Sequence, residues 1–412
     1  MRSTRVVFLI MIAFIGISAC SSRDKASPTT TAPVDATSTT TGPIVVEHFE
    51  SDESGFYDLP NPLPKGNHGD LIRVQPIAGA PQGAKWQRIM YLSESVAGSP
   101  IAVTGVVTVP DTEPPPEGWP LIAHAHGTTG IADTCAPSVS LGGDGTYAAE
   151  LKFLSGRVAS DGFVLVSTDY EGLGVEGRHP YLVGVSAGRS VLDSLLAVQQ
   201  LSDMRTAPAV GIVGYSQGGH AAAWANQLAS NWAPELSIVG VLAGAPATEV
   251  PDFVAADSSD TRPLLQAREV LVTAGLAASN TDLDVSDALS AAGLEVLDQL
   301  DEGCEPDLSP EPALTRVKLT ETEPWASALK SNVPGTTQGT APVLIVHSRT
   351  DAVIPIEQGE AFARRLCATG QVVEMRELPD GEHVPTAVPA YLQGLEWIQG
   401  LMDGATPVST CS

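Results

Sequence analysis

The sequence predicts an α/β fold, a mostly parallel central sheet flanked by helices and interrupted by one helical insertion. Three features carry this expectation. Short apolar, β-branched runs alternate with segments whose apolar residues recur at helical spacing. One such run passes through a glycine-rich turn directly into an alanine-rich segment, GIVGYSQGGHAAAWA at residues 211–225. Residues 247–338 hold helical runs and proline-rich joints but no clear strand.

Taken in chain order, residues 1–19 read as a signal peptide. Arg2 and Arg5 form a basic start, and the apolar run VVFLIMIAFIGI is too short to span a bilayer comfortably. The run ends in ISAC, which resembles the lipobox of bacterial lipoproteins and makes Cys20 the expected lipidation site. Residues 20–43 are a Ser/Thr/Pro tether that cannot bury enough apolar surface to fold. The first part of the folded core is expected over 44–246. WQRIMYLSES and PIAVTGVVTVP read as two strands joined around Gly98, EPPPEGWP as a surface loop, and LIAHAHG as a short buried strand entering a loop. RVASDGFVLVSTDY reads as a helix end, a turn at Asp161-Gly162 and a strand. Val191, Leu192, Leu195, Leu196, Val198 and Leu201 lie at helical spacing, and LSIVGVLAGAP forms the strand after the alanine-rich helix. In the insertion, RPLLQAREVLVTAGLAA and SDALSAAGLEVLDQL read as helices. The second part of the core, 339–412, supplies strands APVLIVHSRTD and QVVEMRELPD and a last helix, AVPAYLQGLEWIQGLM.

The bulk properties narrow the function classes. With 48 acidic and 22 basic residues the formal charge is −26, which opposes attraction to nucleic acid or an anionic membrane face. The chain reads as an exported monomer, lipid-anchored on the outer face of the cell membrane and open to release. With Cys20 lipidated, Cys135, Cys304, Cys367 and Cys411 remain, and an even number outside the cytosol implies two disulfides, for which three pairings exist.

The strand–turn–helix context of G-Y-S-Q-G is what a nucleophile elbow requires, with Ser216 at its apex and Gly214 and Gly218 where the backbones crowd. A serine hydroxyl needs a base to take its proton, and the base needs an orienting acid. In the order Ser, acid, His, both partners lie downstream. Of the downstream histidines, His220 lies in the first turn after the elbow and His347 inside a buried strand. His383 lies in a loop between the last strand and the last helix and is the expected base. Asp351, in the loop after VLIVHS, is the expected acid; Asp380 stands only three residues before His383 and reads as a turn residue of Asp-Gly. The oxyanion donors are expected to be the backbone N–H of Gln217 and that of Thr128, or of Thr129 beside it, in HGTTG after the LIAHA strand.

His124 and His126 form an H-x-H pair, but alternation along a strand is expected to point the two rings to opposite faces, and no C-x-x-C, H-E-x-x-H or neighbouring acid completes a metal set. Asp282, Asp284 and Asp287 lack the glycine and terminal glutamate of a calcium loop and read as a solvated helix start. Neither a metal nor another cofactor is called for.

The segments HGTTGIADTCAPS, DYEGLG, HPYLVGVSAGRSVLDS, GYSQGGHAAAWA, HSRTDAVIP and GEHVP together resemble the secretory lipases, the group of the fungal lipase A type. The resemblance covers His126 to His383 well and implies the α/β-hydrolase fold with Ser216, Asp351 and His383 as triad. It also implies a helical cap over 247–338 and the disulfides Cys135–Cys304 and Cys367–Cys411. Fungal members continue past the last cysteine into a flap over the site. The present sequence ends at Ser412, so gating by that flap is not carried over. The expected activity is carboxylic ester hydrolysis on an ester or lipid substrate. Rival readings are a peptidase or amidase on the same fold and a non-catalytic lipid-binding surface protein, since a triad does not distinguish ester from amide.

Overall fold

The computed structural model describes residues 44–141, 146–202, 204–255, 262–308 and 313–411. The signal peptide, Cys20 and the tether lie outside these residues. Among the described residues the strands are β1 (Glu47–His48), β2 (Leu71–Ile77), β3 (Ala84–Glu94), β4 (Pro100–Pro110), β5 (Trp119–Ala125), β6 (Val164–Thr168), β7 (Thr206–Tyr215), β8 (Ser237–Gly244), β9 (Val343–Ser348) and β10 (Val373–Leu378). They form one sheet in the order β1-β2-β3-β4-β6-β5-β7-β8-β9-β10. The β2–β3, β3–β4 and β4–β6 pairs are antiparallel, and β6 through β10 run parallel.

Side-chain alternation on these strands builds two cores. On β9, Val343 and Ile345 face one core while Leu344 and Val346 face the other. The first core is covered by helices Gly184–Val198, Gln217–Trp232 and Ile356–Ala368, through residues such as Val191, Leu195, Ala222 and Phe362. The second is covered by helices Thr146–Ser160 and Ala387–Met402, through Leu151, Leu154, Tyr391 and Ile398. A parallel sheet requires this double cover, which is why its strands are nearly all apolar.

β1 and β2 fall in a stretch that the apolar pattern does not mark. β2 carries Arg73 and Gln75, both buried. Gln75 donates to the Glu50 and Glu53 carbonyls, and Arg73 pairs with Glu47. Polar groups satisfied by loop carbonyls replace the hydrophobic alternation that would identify the strand.

Between β8 and β9 the described residues form helices Val250–Ala255, Pro263–Gln266, Arg268–Ser279, Val285–Ala288, Ala291–Glu302 and Trp325–Ser331. The two helical runs expected there are each broken. One divides at Ala267 and the other before Ser290, whose hydroxyl caps the next helix by accepting from Gly293 N. These helices share a core of their own, including Val270, Leu271, Leu276, Leu297 and Leu329, which also takes in Ile131 and Tyr181–Val183 from the sheet-forming part. Cys135 is bonded to Cys304 and Cys367 to Cys411, the pairs that the resemblance implies.

Candidate active site

β7 ends at Tyr215 and a helix begins at Gln217, leaving Ser216 alone at the corner with φ +59° and ψ −121°. A non-glycine residue rarely adopts a positive φ, so neighbouring contacts must hold it there. Ser216 N donates to the Gly244 carbonyl at 2.9 Å, and its own carbonyl accepts from His220 N and Ala247 N. A β-carbon on Gly218 would lie 1.8 Å from the Ala125 oxygen, and one on Gly214 2.0 Å from the Gly218 oxygen. Only glycine lets the strand end and the helix start approach so closely.

His383 Nε2 lies 2.8 Å from Ser216 Oγ, and His383 Nδ1 lies 2.6 Å from Asp351 Oδ2. A carboxylate only accepts, so Nδ1 carries the proton and Nε2 accepts from the serine hydroxyl. The Asp351 side chain is wholly buried, and its Oδ1 accepts from Val353 N and Ile354 N at 2.9 Å each. The backbone of His383 is also held, its carbonyl accepting from Tyr215 Oη at 2.7 Å. The structure thus brings together three side chains that the sequence places at 216, 351 and 383.

The other candidates occupy different places. His220 donates from Nε2 to the Asn332 carbonyl, and burial pushes its pKa down to about 4. His347 donates from Nε2 to the Ile354 carbonyl; it sits 3.8 Å from Asp351 Oδ2, and burial lowers its pKa. Asp380 is exposed in its turn. Residues i and i+2 of a strand share a face, but β5 ends at Ala125 and His126 has left it. His124 meets Ser167, Tyr391 and Glu150, while His126 Nδ1 donates to the Gly127 carbonyl. Asp284 caps a short helix by accepting from Ser286 N, and Asp287 pairs with Arg316.

A cavity of about 270 Å³ opens beside Ser216 and His383. Its wall includes Gly127, Thr128 and Thr129 from the loop after β5, and Leu264 and Leu265 from the insertion. The Cys135–Cys304 bond lies in the same wall, joining the loop after β5 to the insertion. Three side chains of the acidic and basic types that the sequence alone does not single out, Glu150, Arg262 and Glu305, also line it. Nothing in their local sequence distinguishes them from surface charges.

Gln217 is 2% exposed, and its side-chain amide donates to His179 Nε2 at 2.8 Å. Thr128 Oγ1 and Tyr181 Oη are 2.7 Å apart. His179 and Tyr181 stand in the segment HPYL, and the sequence alone attaches no chemistry to them because their partners lie in other segments.

The model of the family described as secretory lipase matches residues 146–410, more than half the chain. Lipase A of Moesziomyces aphidis is 24% identical, over 86% of this chain and 81% of its own. A Mycobacterium tuberculosis protein with the name "Probable inactive lipase" is 29% identical, over 82% of this chain and 80% of its own. Among solved structures, Candida antarctica lipase A in its closed state superposes with a TM-score of 0.72 at 22% identity, covering 87% of this chain and 88% of that one. The rice cell wall degrading esterase of Xanthomonas oryzae reaches 0.67 at 17% identity, covering 82% and 98%. At these identities the two structures speak for the fold, an α/β-hydrolase.

Proposed function

Because the chain belongs to the secretory lipase family, a family of carboxylic ester hydrolases, we propose that it cleaves acyl esters through an acyl-enzyme on Ser216, with His383 as general base and Asp351 as its orienting acid. The observation that carries this reading is the pair of contacts on one imidazole, 2.8 Å to Ser216 Oγ and 2.6 Å to Asp351 Oδ2, at the wall of the cavity. His383 Nε2 takes the serine proton as Oγ attacks the ester carbonyl carbon. The negative charge that develops on the carbonyl oxygen is met by the N–H of Gln217, a first and therefore unpaired donor of its helix, and by the N–H of Thr128 or Thr129. His383 then gives its proton to the departing alcohol. Water, activated by the same imidazole, releases the acid and restores Ser216. In this reading residues 247–338 act as a cap that shapes the acyl side of the cavity.

Two disulfides and the family fit an exported protein. We further propose that Cys20 carries the lipid anchor, on the strength of the ISAC box before a Ser/Thr/Pro tether. Cys20→Ala should release the protein from the membrane fraction or block its processing; an equally membrane-bound variant refutes lipidation.

One similar protein carries the name of an inactive lipase, which favours a second reading, a non-catalytic lipid binder. An active-site serine probe, a p-nitrophenyl ester series of increasing acyl length and a panel of aminoacyl anilides separate the readings. Labelling at Ser216 with ester turnover is the expected result. Anilide turnover exceeding ester turnover indicates a peptidase, and lipid binding without labelling indicates the non-catalytic protein.

A further inference from the structure

The two proposed oxyanion donors come from different strands, Gln217 after β7 and Thr128 after β5. Their N–H groups stabilise an oxyanion only if their spacing is held within a fraction of an ångström. One segment, between β6 and the helix Gly184–Val198, touches both. His179 Nδ1 is 2.8 Å from the Glu171 carbonyl, which only accepts, so Nδ1 carries a proton. Burial pushes the His179 pKa down to about 4, so the ring is neutral at neutral pH and Nε2 offers a lone pair. The Gln217 amide must therefore donate to it, across 2.8 Å, with both residues buried. Two residues further on, Tyr181 Oη lies 2.7 Å from Thr128 Oγ1, and both residues are again buried. Pro180 between them has its φ restricted by its ring. Tyr170 lies nearly parallel to the His179 ring, at 5.6 Å and 17°, and its hydroxyl donates to the His126 carbonyl just before the Thr128 loop. From the insertion side, a β-carbon on Gly275 would lie 2.4 Å from Tyr181 N, so that helix rests directly on the Tyr181 backbone.

We propose that His179 and Tyr181 are positioning residues for ester hydrolysis. His179 holds Gln217 and Tyr181 holds Thr128, so one three-residue stretch sets the distance between the two oxyanion donors. The proposal rests on reading Gln217 and Thr128 as those donors. It goes beyond that reading by placing control of the donor spacing in side chains whose hydrogen bonds go to Gln217 and Thr128 and not to the triad.

The test uses His179→Leu, His179→Gln, Tyr181→Phe and Gln217→Leu in the exported full-length protein. The readouts are kcat and KM on p-nitrophenyl butyrate and the affinity of a trifluoromethyl ketone, which forms a tetrahedral oxyanion adduct on serine. Leu at 179 and Phe at 181 should each lower kcat about tenfold to a hundredfold while KM stays within about twofold. Affinity for the ketone should fall by the same factor, because it reports the oxyanion and not the planar ester. His179→Gln keeps an acceptor near the Nε2 position and should recover most of kcat. The His179→Leu/Gln217→Leu double variant should be no slower than the worse single one, since both remove one bond. Folded variants with wild-type kcat, or with the loss confined to KM, overturn the proposal. Should His179→Leu fail to fold, Tyr181→Phe, which removes a single oxygen, and Gln217→Leu decide the matter. A wild-type protein that labels at Ser216 and hydrolyses esters while those variants lose nothing refutes the positioning role alone. A wild-type protein that neither labels nor turns over refutes both this proposal and the serine mechanism.

Discussion

Replacing Asp351 by Asn tests the proposed mechanism most sharply, because the structure dictates which way the amide must turn. Oδ1 of Asp351 accepts two backbone N–H groups, from Val353 and Ile354 at 2.9 Å, and Oδ2 faces His383 Nδ1 at 2.6 Å. An asparagine has one oxygen and one NH₂. Turning the NH₂ toward the backbone would set donor against donor and strand two buried N–H groups, at about 1–3 kcal/mol each. Turning it toward His383 strands neither, so this orientation prevails. The NH₂ then donates to Nδ1, the imidazole proton moves to Nε2, and Nε2 can no longer accept from Ser216 Oγ. A wrong tautomer of this kind lowers kcat about 10⁴-fold, or about 5.5 kcal/mol of barrier. The fold loses only one charge-assisted bond, about 1–3 kcal/mol, since both loop bonds survive. The assay is kcat on p-nitrophenyl butyrate beside a thermal unfolding curve and the rate of labelling by a serine probe. A folded Asp351→Asn protein retaining more than about a tenth of wild-type kcat would mean that another group orients His383.

Ser216→Ala should cut ester hydrolysis by about 10⁴-fold or more without unfolding the protein. Adding His383→Ala should cost little further, because the members of a triad act as one unit; multiplicative losses in steady-state kinetics would point to wrong partners. Cys304→Ser opens a loop with a sequence separation of 169, and the chain-entropy model assigns that closure about 5 kcal/mol. The variant should melt lower and lose activity on long acyl chains more than on acetyl esters, since Cys135 and Cys304 line the cavity; an unchanged chain-length profile refutes the link. His126, His179 and His220 are buried with pKa values pushed down to about 3, 4 and 4, against an ordinary value of 6.5. Unfolding frees each to take up a proton below pH 6.5, so the stability they confer is present above that pH and is lost as pH falls toward 4. At its steepest each contributes about 1.4 kcal/mol per pH unit. His220→Gln, whose amide can still donate to Asn332, should flatten the dependence of the urea midpoint between pH 7 and 5 by about one proton's worth; an unaltered slope means that His220 is not the buried neutral group described.

Much of this protein is written locally in its sequence. The corner at Ser216 is legible because its demands are local: an apolar strand before, an alanine-rich helix after, and glycine where a β-carbon would strike Ala125 or Gly218. The order in which Ser216, Asp351 and His383 occur, each just past a strand, selects them among many serines, acids and histidines. The parallel strands follow from short continuous apolar runs, and the helices over them from a period of 3.6 residues, both of which a short window contains. Other features depend on residues far apart in the chain and leave no local period. β2 is hidden because its buried Arg73 and Gln75 are satisfied by Glu47 and by the carbonyls of Glu50 and Glu53, so its pattern lacks apolar alternation. The sheet order, with β6 between β4 and β5, comes from crossovers that no window spans. Glu150 becomes a cavity residue only when the helix that carries it is laid against β5 and the last helix. Gln217 and His179 meet across 38 positions, and Thr128 and Tyr181 across 53. A hydrogen bond between two buried side chains requires each to be in place, and the chain brings them together only by folding around the sheet.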